Sequence, residues 1–563
     1  MKGKSSSRLL TLRAAVGGVC LITAVLALVA CGGKSSSSNG SSATYTVGGT
    51  ISGLNANSVE LIYNDTNTLS VSAGATTWVF AASFASGSSY SVSVLTQPLG
   101  ELCEVTGGGS GTLTANVANV TVVCSLYGQW TWEGGSNSVN ASGVYGTQGA
   151  ASASNVPGAR FSSTSWSDSS GTFWLFGGAG YDSSGGSGDL NDLWQYSPST
   201  GQWIWVSGGN ADDASGVYGT LGTAAAGNVP GGRYSASSWT DSSGNLWLFG
   251  GYGYDATGGV GRLNDLWQYN PSVGLWTWFS GGNADNANGV YGTPGTAAAG
   301  NVPGARYSAS SWIDSSGNLW LFGGVGYAST GGAGSLNDLW RYSPSTGLWT
   351  WVGGSNADDA AGVYGTQGSA AASNQPGARQ AANTWTDSSG NLWLFGGYGY
   401  DSSGAAGYLN DLWQYSPSTG LWTWVSGGNR VNASGVYGTQ GTASAGNAPG
   451  GRYSGCSWID SSGNMWLFGG YGYDSASAVG ALNDLWLYSP STGLWTNVSG
   501  GSGVNAAGAY GTQGTVSGST TPGARQAANS WTDSSGHLWL FGGAGYGASG
   551  NGYLNDLWQF VPP

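Results

Sequence analysis

A chain of 563 residues exceeds one ordinary hydrophobic core, so several domains or a repeat array is expected. Only 7% of its residues are charged, yet 105 are Gly and 30 are Trp; this excludes a disordered chain, because disorder avoids aromatics, and favours short strands and tight turns around aromatic cores. The net charge of −13 excludes a nucleic-acid binder, since phosphate contacts need a basic patch.

Residues 1–30 read as a targeting segment. Lys2, Lys4, Arg8 and Arg13 make a basic start, and residues 14–30 are apolar and end in small side chains. The closing Leu28-Val29-Ala30-Cys31 resembles the lipobox of bacterial lipoproteins. That resemblance implies cleavage before Cys31, acylation of its sulfur and amino group, and a membrane anchor through this residue. Gly32 replaces the Asp that retains many such proteins in the inner membrane, which implies the outer membrane of a Gram-negative cell. The alternative is an ordinary signal peptide or a short anchor helix. Residues 31–43 form a Gly/Ser-rich tether. Cleavage leaves 10 Lys and Arg against 27 Asp and Glu, a net −17.

Residues 44–126 alternate like half-buried strands, as in Ser58 to Tyr63, Thr77 to Phe80 and Tyr90 to Val94, with glycine and asparagine turns between them. A small β-sandwich is expected, similar to the Ig-like modules of bacterial surface proteins and acting as a spacer. Cys103 and Cys124 lie together in this exported domain and are expected to form a disulfide. Cys20 leaves with the targeting segment, and Cys456 replaces a small residue in one repeat copy, where a buried free thiol is expected.

Residues 127–563 are repeats. Leu-Asn-Asp-Leu-Trp begins at Leu190, Leu263, Leu336, Leu409, Leu482 and Leu554, at a spacing of 73 four times and then 72. One copy gives strands from Arg233 to Trp239, Leu246 to Phe249, Leu263 to Tyr269 and Leu275 to Phe279. Asp241-Ser-Ser-Gly244 and Asn270-Pro-Ser-Val-Gly274 are hairpin turns on chemical grounds, because Asp and Ser cap the bend and Gly accepts positive φ. Four antiparallel strands make one propeller blade. The double Gly after an apolar run, as in Phe249-Gly250-Gly251, and the Tyr/Trp pair, as in Tyr269/Trp276, resemble kelch repeats. The resemblance covers about three quarters of the chain, although kelch units run nearer fifty residues. Trp130-Thr131-Trp132 copies a fourth strand that the last unit lacks. The expected fold is therefore all-β: a six-bladed kelch-type β-propeller closed by its N-terminal strand and preceded by a small β-sandwich.

Strand order puts the second-to-third and fourth-to-first connections on one face, and both read as long loops (Tyr254 to Gly261, Gly281 to Pro303). Binding concentrates on such loops. Three residue sets stand out there. Arg160, Arg233, Arg306, Arg379, Arg452 and Arg525 follow Pro-Gly; they form either an anion-holding ring or ties to carbonyls and to the Asp of Asn-Asp-Leu-Trp, the second being favoured. Tyr181, Tyr254, Tyr327, Tyr400, Tyr473 and Tyr546 either stack on a ligand or anchor their loops. The Gly-Val-Tyr-Gly loop, with Asp212-Asp213 or Asp358-Asp359 before it, lacks the alternating acids of a calcium loop and reads as a packed Tyr anchor.

His537 is the only His, so the two-His copper centre of galactose oxidase, a kelch-type enzyme, has no counterpart. It sits at an exposed hairpin as a substitution for Asn. Glu133 is the only Glu of the repeats, and the Asp-Ser-Ser-Gly-Asn-Leu-Trp hairpin is one residue too long for the sialidase Asp-box. No catalytic motif, metal set or cofactor is expected. The leading expectation is a non-enzymatic, monomeric envelope lipoprotein whose propeller binds an unknown protein or glycan. The alternatives are a carbohydrate-active enzyme or lectin-like sensor, and a surface-layer component.

Overall fold

The computed structural model describes residues 43–54, 58–98, 101–126 and 128–562. Cys31 and the targeting segment lie outside them. Every regular element among the described residues is a β-strand.

Two four-stranded sheets come first. One runs Thr77–Val79, Val47–Ser52, Val117–Leu126, Glu101–Gly107; the other runs Asn67–Val71, Val59–Tyr63, Ser89–Thr96, Ser110–Thr112. Val47 and Ile51 of the first meet Val59 and Leu61 of the second in one apolar core, as period-two alternation requires. Val47–Ser52 pairs in parallel with Val117–Leu126. Cys103 and Cys124 stand directly opposite on neighbouring strands and are joined by a disulfide.

The repeat is a twisted antiparallel sheet, again seen best in the second copy. Its first strand is split into Arg233–Tyr234 and Ser237–Thr240, which both pair with Leu246–Tyr254; Val260–Asn270 and Leu275–Ser280 follow in order. The split falls at Ser235, whose φ is +54°. The second strand does not stop at the double Gly. It bulges between Phe249 and Gly251 and continues to Tyr254, with Gly250 and Gly251 at φ +65° and +97°, values that suit glycine. The expected long loop after it is thereby reduced to residues 255–259.

The loop from the fourth strand is long but not free. Its Gly222 N–H donates to the Trp278 carbonyl at 2.7 Å, and Ala225 bridges Trp276, so it covers the outer edge of the sheet it leads into. An exposed edge would otherwise template aggregation. In the fourth copy this contact becomes a short strand, Ala370–Ala371.

Each aromatic core lies between consecutive sheets. Trp166, Trp174 and Phe176 of the first sheet pack with Leu246, Trp267 and Trp276 of the second; the sixth sheet's Trp531, Trp539 and Phe541 pack in the same way with Phe173, Trp194 and Trp203 of the first. Two cycles of hydrogen bonds run through all six sheets. The Trp166 indole donates to the Trp247 carbonyl, and the series continues through Trp239, Trp312, Trp385 and Trp458 to Trp531, which donates to the Trp174 carbonyl of the first sheet. The positive-φ residues make the second cycle: Ser235 N–H donates to Ser162 O, and so on through Ser308, Ala381, Ser454 and Ala527, until Ser162 N–H donates to Ala527 O, each at 2.8 Å. Trp130–Gly134 pairs antiparallel with Asn551–Phe560, placing Trp132 opposite Trp558, so the sixth sheet takes its outer strand from the start of the repeat region.

Candidate functional site

The six arginines do not form a ligand-holding ring. Each is at most 1% exposed and is bonded within its own sheet. Arg160 donates from Nε to Gly158 O, from Nη1 to Gly177 O and Asp192 Oδ1, and from Nη2 to Asp192 Oδ2, at 2.7–3.0 Å. Arg233, Arg306, Arg379, Arg452 and Arg525 repeat this with Asp265, Asp338, Asp411, Asp484 and Asp556. Asp192 Oδ2 also accepts from the Tyr145 hydroxyl at 2.6 Å and from the Trp194 indole at 2.7 Å. Burial alone lowers the Arg160 pKa, but the Asp192 carboxylate outweighs it and the net shift is upward. Burial and then the same carboxylate push the Tyr145 phenol far above its ordinary value. The Gly-Val-Tyr-Gly loop is thus held by a buried Tyr anchor.

The acids ahead of that loop serve the backbone. Asp213 Oδ1 accepts from Asp189 N–H and Asp359 Oδ1 from Ser335 N–H, both at 2.9 Å, a place taken by Asn286 and Asn432 in other copies. Among the described residues no group of three or more His, Cys, Asp or Glu is arranged to hold a metal ion.

His537 is part of its hairpin rather than a bare surface residue. Its Nδ1 lies 2.9 Å from Asp533 Oδ2, where Asn245 Nδ2 donates to Asp241 Oδ2 at 2.9 Å. Cys456 is buried and bonds the Ala528 carbonyl, as Ser237 bonds Ala309. Burial pushes its thiol up to about 12, which leaves it protonated and a poor nucleophile.

The tyrosines at the ends of the second strands are half-buried and most reach the preceding sheet. Tyr181 packs on Tyr553, Tyr473 packs on Tyr408, and Tyr327 lies under the Arg262 guanidinium. Burial, and then the nearby Asp213 and Asp359 carboxylates, raise the phenol pKa values of Tyr254 and Tyr400. Tyr546 holds the equivalent position in the sixth sheet.

These tyrosines border an aromatic surface that the sequence reading missed. The residue after each buried arginine (Phe161, Tyr234, Tyr307, Gln380, Tyr453, Gln526) directly precedes the cycle of positive-φ residues, so all six surround one axis. All are half-buried. Phe161 packs on Tyr553 at 4.8 Å and on Tyr234 at 6.2 Å, and Tyr234 packs on Tyr307. Across the axis, Tyr408 touches Tyr398, Tyr453, Tyr471 and Tyr473. Beside the first group sits Asp189. Burial, then Asp213 and Asp212, hold its carboxyl up at about 7.

No protein-family model matches the chain, and no curated protein is similar to it.

Proposed function

We propose that residues 128–562 form a six-bladed kelch-type β-propeller, closed by the Trp130–Gly134 strand, which acts as a non-enzymatic binding scaffold. The hydrogen-bond cycle through Ser162, Ser235, Ser308, Ala381, Ser454 and Ala527 carries this reading, because it sets six near-identical sheets about one axis and brings one varied surface to its end. The ligand is an envelope protein or glycan held at that end. The preceding sandwich is an Ig-like spacer, and acylated Cys31 tethers the protein to the outer membrane. Buried, saturated arginines and a protonated Cys456 favour a scaffold over an enzyme.

Two measurements test it. Cys31→Ser should move the protein from the membrane fraction to the soluble fraction; retention in the membrane would refute the lipid anchor. Affinity capture from native envelopes should recover a defined partner, and that recovery should fail with a variant altered only at the axial tyrosines.

A further inference from the structure

The six sheets are nearly identical inside, with scattered single substitutions, and vary together at one place. The Arg, the Asp of Asn-Asp-Leu-Trp and its Trp recur in all six copies. The three strand positions that meet at the axial end do not. They read Phe161, Tyr234, Tyr307, Gln380, Tyr453, Gln526; then Ala179, Tyr252, Val325, Tyr398, Tyr471, Ala544; then Asp189, Arg262, Ser335, Tyr408, Ala481, Tyr553. Packing that is the same in every copy demands the same residue in every copy, so these positions are not set by the repeat. Nine of the eighteen are aromatic, on a protein whose other surfaces are mainly Ser, Gly, Ala and Asn.

The arrangement is directional. Aromatic contacts cross from the sixth sheet to the third through Tyr553, Phe161, Tyr234 and Tyr307, and from the fourth to the fifth through Tyr408 and Tyr453. Gln380 and Gln526 stand in the gaps between these two arcs. Gln526 brings a buried Oε1 with no hydrogen-bond partner, and Arg262 a buried Nε in the same condition. Of the eighteen positions only Asp189 and Arg262 are charged, and the Arg262 guanidinium already lies over Tyr307 and Tyr327, 5.6 Å from each ring centre. A polyanion therefore finds no free cation, and a basic peptide meets only the Asp189, Asp212 and Asp213 carboxyl groups at one side, away from the Tyr408 group. Tyrosines offer broad apolar faces and a phenol at the rim, glutamines offer an acceptor and two donors, and all suit a ligand with flat C–H faces and many hydroxyls.

Resting on the scaffold reading above, we propose that the axial tyrosine surface is a site for neutral oligosaccharide, with the group around Tyr408 as its stacking platform and Gln380 and Gln526 as its hydrogen-bonding ends. The test is calorimetric titration of the full chain, held in a detergent without a sugar headgroup. Cellohexaose, chitohexaose and maltohexaose are the probes, with hexagalacturonate and decaproline as the charged and peptide comparators. At least one neutral hexasaccharide should bind at a single site. Tyr408→Ala and Tyr453→Ala should each weaken it about tenfold, and Tyr408→Phe, which keeps the ring, should weaken it about threefold or less. Heat denaturation of each variant checks that the fold survives. Silence from all three neutral sugars, tighter binding of either comparator, or undiminished binding by Tyr408→Ala would each overturn the proposal. If sugars fail while envelope capture succeeds, the carbohydrate assignment alone falls; if both fail, the scaffold reading falls with it.

Discussion

Asp338 accepts four hydrogen bonds away from solvent: two from Arg306 and one each from Tyr291 and Trp340. Neutralising it leaves the Arg306 guanidinium charged and uncompensated in the core, the situation in which losing one partner of a buried pair costs about 3–5 kcal/mol. Asp338→Asn should therefore lower the unfolding free energy by about that amount in urea titration, and a loss below about 1 kcal/mol would mean that the guanidinium finds other acceptors. Asp189 responds to pH in the opposite way to a paired carboxylate. Its folded pKa, near 7, stands above the ordinary 3.8, so the folded state holds a proton that the unfolded state has released. Stability then falls as pH rises from about 4 to 7. Asp182, Asp255 and Asp401, whose pKa values are lowered by local hydrogen bonds that outweigh burial, lose their contribution only below that window. Asp189→Asn should flatten the melting temperature between pH 4.5 and 7.5, and an unaltered slope would place its origin elsewhere. At this scale the sequence was partly legible. The Arg after each Pro-Gly already suggested a tie to the Asp of Asn-Asp-Leu-Trp, which lies 32 residues on in five copies and 31 in the sixth. The axial tyrosines stayed hidden because their signal is variation between copies, which a search for repetition passes over.

The strand is where sequence and structure diverge most. Four antiparallel strands per repeat followed from the turns, and Asp241 behaves as its turn demands. Its Oδ1 accepts from the amides of Ser243 and Asn245, and its Oδ2 from the Trp247 indole. In the first pair of sheets the short strand Ser110–Thr112, exposed along its length, carried no alternating pattern to announce it. Two features of the repeat also have no simple code. A left-handed Ser235 splits the first strand, although a non-Gly residue there costs about 1–2 kcal/mol; the hydrogen bond that its N–H donates to Ser162 O offsets part of this. Glycine pairs usually announce an end, yet here they bend a strand that continues. Gly250 shows why: a Cβ there would lie 2.7 Å from Arg306 O and 2.8 Å from Leu263 O, and one on Gly251 would lie 2.8 Å from Tyr234 O. Gly250→Ala and Gly251→Ala should each cost about 2 kcal/mol or more, from the positive φ and the contact together. Alanine at Gly244, where a Cβ meets nothing within 4 Å, should cost less. Equal melting temperatures for the Gly250 and Gly244 variants would contradict this account.

Across the whole molecule, the order of the sheets fixes which contacts are cooperative. Each core is shared by two sheets, so no sheet has a core of its own, and removing one weakens two. The seam keeps the strand pairing of the other five sheets but joins distant parts of the chain, and Thr520 there takes the place of the Asn that caps the outer strand elsewhere. Trp130, Thr131 and Trp132 meet Phe560, Gln559 and Trp558, Trp130 packs on Phe468 of the fifth sheet, and Gln513 donates to the Glu133 carbonyl. A chain lacking residues 130–134 keeps every other strand but exposes the edge Asn551–Phe560 and opens the core that holds Trp558 and Phe560. Loss of the burial of Trp130 alone removes several kcal/mol of gross apolar stabilisation at about 25 cal/mol per Å². That deletion should lower the melting temperature by more than any single substitution above and should broaden the transition, because the sixth sheet would loosen ahead of the other five. Hydrogen exchange should then locate the lost protection in residues 525–560 first. Protection lost evenly from all six sheets would mean that the cycle of hydrogen bonds, not the seam strand, holds the sheets together.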